Sequence, residues 1–213
     1  MSTNVESPDQ PSFINARAAL GIILLLGFAY VVHFASYQHG LIYELLRFVP
    51  GLLGVCVLLV SGFTTKTCYL QFALISKQGI VIYVVMFLLM APVVITGLQA
   101  GGWVGIDWRL IFIDAPIDAI AQELYFRAAL LPALILAIPR IPRLALGLHA
   151  IIFAFYHIGI FRVAPADVAV FALLLTFLVG LGWGWQVKRD STVIWAMIHH
   201  TLFQIILKLF AWG

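Results

Sequence analysis

Charge is what this chain has least of. Charged residues make up 10% of its 213 positions, against about 25% in soluble domains, and this excludes a water-soluble globular fold. Cysteine is scarcer still. Cys56 sits in an apolar run and Cys68 in a polar loop region, so neither a disulfide framework nor a metal-spaced cysteine pair can be drawn. A His-Glu-x-x-His helix is missing, and with it the zincin signature. Internal repeats, low-complexity tracts and an inverted pair of halves are missing too, which removes the usual architecture of a secondary transporter. The net charge of +3 is too small and too dispersed to make a nucleic-acid surface.

What the chain does have is apolar length. Hydrophobic residues are 63% of it and the mean hydropathy is +1.08, so the expected fold class is all-α: a polytopic integral membrane protein. At about 20 residues per crossing there is room for six to eight helices, about seven in one bundle, and no separate soluble domain. Residues 1–15, polar and carrying Pro8 and Pro11, read as a disordered tail that lacks the basic start of a signal peptide. Residues 16–213 read as a single transmembrane helical domain with its motif-bearing core at 112–210.

Spans are expected at 18–35, 41–62, 79–99, 112–138, 144–160, 168–187 and 192–210. His33, near the end of the first, reads as interfacial. Glu44 and Arg47 in the second, three apart, read as a local ion pair at the headgroup level. The stretch Thr67 to Ser76 is too short to span and reads as an interfacial amphipathic turn. Pro92 should kink the third span. A loop with Gly101, Gly102 and Gly105 follows it, flanked by Trp103 and Trp108 at the position of an aromatic belt. In the fourth span Asp114, Asp118 and Gln122 recur at four-residue spacing, so one stripe of that helix is wet or hydrogen-bonded; Pro139 and Pro142 close it.

Loop charges orient the bundle. With seven spans and a cytoplasmic N-terminus, the cytoplasmic side collects Arg17, Lys66, Lys77, Arg140, Arg143, Lys188 and Arg189, and the other side keeps Arg47, Arg109, Arg162 and Lys208. Glu123 lies fourteen residues beyond Arg109, about 20 Å along a helix, so the site is expected in the middle to outer part of the bilayer.

Three polar constellations fall on three of the last four apolar helices. The first is Asp118-Ala-Ile-Ala-Gln-Glu-Leu-Tyr-Phe-Arg127, where Glu123 and Arg127 stack on one helical face. Next come Phe153-Ala-Phe-Tyr-His157 and His199-His200-Thr-Leu-Phe-Gln204, with the Gly/Trp-rich run Gly180 to Trp185 between them. A charge at mid-bilayer costs roughly 3 kcal/mol, so its default reading is a partner and a function. Each residue also has a plain reading: Glu123 with Arg127 as a structural ion pair, and His157, His200 and especially His149 as packing histidines. Together they suit peptide-bond hydrolysis, which needs a base to activate water and donors for the developing oxyanion. Glu123 with His157 answers the first need, and His200 with Gln204, one turn apart, the second. Nothing in the spacing demands a cofactor, although Glu123, His157 and His200 plus water would also make a zinc site.

At these residues the chain resembles the CPBP family of intramembrane proteases, which includes CAAX prenyl endopeptidases, bacteriocin-processing and immunity proteins, and myxosortase-like enzymes. The family pattern is Glu-Glu-x-x-x-Arg, Phe-x-x-x-His and His-x-x-x-Asn on successive helices. Gln122-Glu123-Leu-Tyr-Phe-Arg127 meets the first motif except at its first position, Phe153 to His157 meets the second, and His200 to Gln204 meets the third with an amide one methylene longer. Starting instead at His199 would put Phe203 at the amide position.

The resemblance implies that the first glutamate and the second-motif histidine activate water. It further implies that the third-motif pair forms the oxyanion pocket, and that the second glutamate and the arginine organise the site. Gln122 stands at the water-activating place, and an amide is no base. By resemblance the expected function is therefore an intramembrane endopeptidase in which Glu123 and His157 take over. Its substrate would be a membrane-tethered protein or peptide, such as the C-terminal sorting tail of an exported protein, and its setting the cytoplasmic membrane of a prokaryote. The alternative is a non-hydrolytic member serving bacteriocin immunity or membrane assembly.

Overall fold

The computed structural model describes residues 13–34, 41–99, 105–162 and 165–210. The expected tail up to residue 12, and the loop residues Gly101, Gly102 and Trp103, lie outside them, as do the side chains of His33, Glu44 and Lys208. Among the described residues the chain is helical with a single isolated bridge, Leu70 to Thr192, and no strand. Its helices are α1 (Phe13–Phe34), α2 (Leu41–Leu46), α3 (Phe48–Val60), α4 (Lys77–Gln99), α5 (Leu110–Ala137), α6 (Pro142–Tyr156), α7 (Ala166–Asp190) and α8 (Ile194–Phe210). The protein is an integral membrane protein. Helix α5, α6 with its following turn, and α7 are each long and apolar enough to cross a bilayer, and shorter apolar stretches lie in α1, α3, α4 and α8.

Helix α5 is the axis of the bundle. Of its most apolar window, 78% lies inside the protein, against 22% for α6 and 28% for α7. Small residues explain how so many neighbours reach it: Ala115, Ala119, Ala121, Ala128, Ala129, Ala133 and Ala137 are all buried, and within lipid, close backbone approach supplies the packing energy that hydrophobic exclusion cannot. Helix α3 meets α5 through Gly51 and Gly54, where an added Cβ would fall 2.8 Å from the Cβ of Leu124 and of Ala129 respectively. The run Gly180 to Trp185 resolves in the same way. Gly180 and Gly184 face Phe153, Leu146 and His149 of α6, Gly182 faces Met86 of α4, and Trp183 is turned into the core.

Because α3 abuts α5 so tightly, Gly54→Ala is expected to overpack the contact and destabilise the fold by roughly 1–3 kcal/mol. Gly21→Ala and Gly147→Ala, whose added Cβ meets nothing within 4 Å, should be neutral. Thermal unfolding midpoints in detergent check this ordering.

Several expected elements are placed differently. The second span is two helices, α2 and α3, broken at Arg47. Arg47 makes an ion pair with Asp118 of α5; the expected local pairing to Glu44 lies outside the described side chains. The break frees Arg47 to reach across to the wet stripe of α5. The stripe itself is divided: Asp114 pairs with exposed Arg109 at 3.4 Å, Asp118 with Arg47, and Gln122 is buried. The fifth span stops being α-helical at Tyr156, and His157 caps it ahead of a 3-10 turn at Ile158–Arg162. Lys77, Asp190 and Thr192 lie at one end of the bundle. There the 61–76 loop turns through left-handed Tyr69 (φ 58°), and its backbone binds Val193 (Val193 N to Tyr69 O, 2.9 Å) and the Trp195 indole (Trp195 Nε1 to Ala73 O, 2.8 Å).

Candidate active site

Two stretches of π-helix interrupt α5, at Leu110–Asp114 and at Leu124–Leu130. The second begins directly after Glu123 and contains Arg127. Such bulges occur often at functional sites; here the widened turn still leaves Arg127 within reach of Glu123. Arg127 Nη1 donates to Glu123 Oε1 at 2.9 Å, and both side chains are fully buried. The same oxygen is met at 2.8 Å by His200 Nδ1 from α8, and Glu123 Oε2 makes no hydrogen bond among the described residues.

The cation is seated in rings. The Arg127 guanidinium carbon stands 4.0 Å over the Phe153 ring, 5.2 Å from that of Trp183 and 5.8 Å from that of Phe126. Its Nε and Nη2 make no hydrogen bond among the described residues. Ring faces therefore carry much of what carboxylates would otherwise do for this buried cation. Gln122, also buried, has an uncommitted Oε1.

His200 is tilted at 32° against the Trp183 ring, with centroids 4.5 Å apart. A carboxylate can only accept, so the His200 proton facing Glu123 is on Nδ1, and the amide of Gln204 lies 3.4 Å from Nε2. His157 lies on the other side of Phe153: the Phe153 ring is 4.9 Å from that of His157 and 6.2 Å from that of His200. His157 Nδ1 donates to the Phe153 carbonyl at 2.9 Å, which keeps the basic lone pair on Nε2.

Glu123, Arg127, His200 and Gln204 thus form one connected chain, with His157 across the Phe153 ring and Gln122 beside Glu123. The imidazole that bonds Glu123 Oε1 is that of His200, because α8 packs along the first half of α5. His199 is turned away from Glu123; its Nδ1 accepts from Trp183 Nε1 at 2.8 Å. His149 is fully buried between α6 and α7 near Gly184. Sequence reasoning missed Trp183 and Phe153 as the seat of the guanidinium; the Gly-rich run beside Trp183 was the available signal. As for a metal, Glu123, His157 and His200 do not fit a zinc ion as placed. Glu123 Oε1 is taken by two cationic or N–H donors, His157 Nδ1 by a carbonyl, and among the described residues no group of three or more His, Cys, Asp or Glu side chains is gathered.

The all-helical membrane bundle thus holds a buried carboxylate, guanidinium and imidazole together at its axis. Residues 103–206 match the family model of type II CAAX prenyl endopeptidase Rce1-like proteins, which supports a CPBP-family, CAAX-protease-like intramembrane protease in general. No curated protein and no solved structure matches the chain.

Proposed function

We propose that the protein is an intramembrane endopeptidase that uses Glu123 to activate water against a peptide bond of a membrane-tethered protein or peptide. The observation that carries this reading is the asymmetry of the Glu123 carboxylate. Oε1 is clamped by Arg127 and His200 while Oε2 keeps its lone pairs, inside a site from which bulk water is excluded. In this mechanism Oε2, assisted by His157 Nε2, takes a proton from water as its oxygen bonds to the scissile carbonyl carbon. The oxyanion is met by the Gln204 amide, and the proton passes to the departing amine nitrogen. Arg127 holds the carboxylate in place. No metal is needed for any step. An open apolar groove of about 350 Å³ between α5 and α8, lined by Ile120, Ile194, Met197, Ile198, Thr201 and Leu202, suits an apolar membrane-embedded substrate.

Purified protein in micelles should cleave a synthetic peptide carrying a C-terminal apolar tail, with the rate unchanged by a strong chelator. No cleavage of any tail would overturn the reading, and loss with the chelator would replace it by metal chemistry. A second reading rests on Gln122, an amide where the family pattern has a base, and makes the chain a non-hydrolytic binding protein. Gln122→Glu decides between them. It puts a second carboxylate beside Glu123 with one Arg127 to serve both, and like charges so close raise one carboxyl's pKa. A hydrolase stays active with its pH optimum moved; a binding protein instead gains cleavage it did not have.

The substrate is taken to be an exported protein with a C-terminal sorting tail, because the basic ends place Glu123 in the middle to outer membrane with the N-terminus in the cytoplasm. Single cysteines at Lys77, Arg140 and Lys188 should resist an impermeant thiol reagent in intact cells, and one at Pro165 should react. Native Cys68 will not confuse the labelling, because burial pushes its thiol up to about 11 and the reactive thiolate is scarce at neutral pH. Cys56, exposed on α3, is replaced by Ser in the parent. Labelling at Arg140 from outside would invert the orientation and with it the exported substrate.

A further inference from the structure

Helix α7 contributes to the site through one residue that no motif names. Trp183 is 1% exposed. One face of its ring meets His200, its π-system lies 5.2 Å from the Arg127 guanidinium, and Phe153 and Phe203 close its edges at 6.1 and 5.7 Å. Both groups that clamp Glu123 Oε1 therefore rest on a single indole. That indole is itself fixed. Its N–H is a donor only, so His199 Nδ1 must accept, and the His199 ring proton sits on Nε2, facing the Tyr83 carbonyl at 3.3 Å.

His199 is itself held by ring contacts. Its ring is stacked on Tyr83 at 4.2 Å and 19° and met edge-on by Phe87 at 4.4 Å. Tyr83 is pinned in turn, with its hydroxyl donating to Gln186 Oε1 at 2.6 Å. Gln186 donates to Asp190 Oδ2 at 3.0 Å, and that oxygen also accepts from the Ser76 backbone at 3.3 Å. Gln186 is fully buried and Asp190 nearly so. Trp183, Gln186 and Asp190 fall on one face of α7, so hydrogen bonds run from the 61–76 loop through α7, α4 and α8 as far as Trp183, and its ring contact with His200 links them to the carboxylate on α5.

We infer that Trp183, held by His199, is a positioning residue for the Glu123 centre: it sets the plane of His200 so that Nδ1 meets Oε1, and seats Arg127 on the opposite flank. This rests on the reading of Glu123 as the reacting group. His199, adjacent in sequence to a site histidine, then acts at one remove through the indole N–H.

Three variants separate positioning from packing. His199→Asn keeps an acceptor oxygen where Nδ1 stands, His199→Leu removes it, and Trp183→Phe keeps a ring but removes the N–H. With tail cleavage as readout, His199→Leu should lower kcat about tenfold or more with KM nearly unchanged, while His199→Asn should restore kcat to within about threefold of the parent, the loss of one neutral hydrogen bond being small. In the Trp183→Phe background, His199→Leu should cost nothing further, since coupled groups are non-additive. Multiplicative losses, an Asn variant as poor as Leu, or a change confined to KM would each overturn the assignment.

A second readout needs no activity. In ¹⁵N-histidine spectra of the micellar parent, His199 should show the Nε2–H tautomer and His200 the Nδ1–H tautomer, and Trp183→Phe should shift His200 toward a tautomer mixture. An unmoved His200 signal sinks the inference even if the protein cleaves. A moved signal in a protein that cuts no tail sustains the positioning role and removes only the proposed reaction. If His199→Leu fails to accumulate, Trp183→Phe carries both readouts alone.

Discussion

Glu123→Gln is expected to leave the protein in the membrane and to lower tail cleavage by about 10²-fold or more, the usual size of a lost general base. The substitution isolates one property. A glutamine amide is nearly isosteric, and its oxygen can still accept from Arg127 Nη1 and His200 Nδ1, which now stand 2.9 and 2.8 Å from Oε1. The amide nitrogen would take the place of Oε2, where it can neither receive a proton nor hold a water as an acceptor. Geometry is kept and basicity is lost. Some stability goes as well, because Arg127 is fully buried and loses its counter-charge, so rates are compared per folded molecule. His157→Ala and His200→Ala should also fall steeply, whereas His149→Ala should act only through packing. A fully active Glu123→Gln would end the claim that this carboxylate carries the chemistry.

How much of this could be read from the sequence divides along a physical line. Features set by local periodicity were legible. The four-residue step from Glu123 to Arg127 becomes a 2.9 Å ion pair, and Lys77 to Gln99 is one helix with Pro92 inside it. The helical class itself follows from apolar content. Features set by which helix lies beside which were not. Arg47 binds Asp118 from 71 positions off at a helix break, and nothing in Leu-Leu-Arg-Phe announces either. His157 was expected to work with Glu123 and His200 to serve the oxyanion, and only the seating of α8 along α5 brings His200 Nδ1 to Oε1.

Backbone irregularity was equally silent. Leu124 to Leu130 holds no Gly or Pro, the usual marks of a disturbed helix, but it winds as a π-helix directly behind the site glutamate. Helix α3 packs directly on this turn at Gly51, where an added Cβ would lie only 3.0 Å from the Tyr125 nitrogen. The pair His199-His200 posed a register question that chemistry answers. Residues adjacent on a helix point about 100° apart, so one ring faces Trp183 and Tyr83 while the other faces Glu123.

Arg127→Met should give the largest loss of stability of any single substitution in the site. It leaves a fully buried Glu123 with His200 as its remaining donor among the described residues and without the Arg127 cation, and removing one partner of a buried pair typically costs about 3–5 kcal/mol. For a chain of this size that corresponds to a fall in the thermal midpoint on the order of 10 °C. Arg127→Lys should recover only part of it. An ammonium cannot lie flat on Phe153 at 4.0 Å while reaching Oε1, and it is more strongly hydrated than a guanidinium. The discriminating variant is the double substitution Glu123→Gln with Arg127→Met. It removes both charges and fills the ring-lined seat with a flexible apolar side chain, so its midpoint should rise well above that of Arg127→Met alone, while cleavage stays lost. Stability and activity then part company, as they must if the pair is kept for its chemistry and not for the fold. A double variant that melts below both single variants would mean that the ion pair holds the bundle together, and the functional reading of Glu123 would lose its main support.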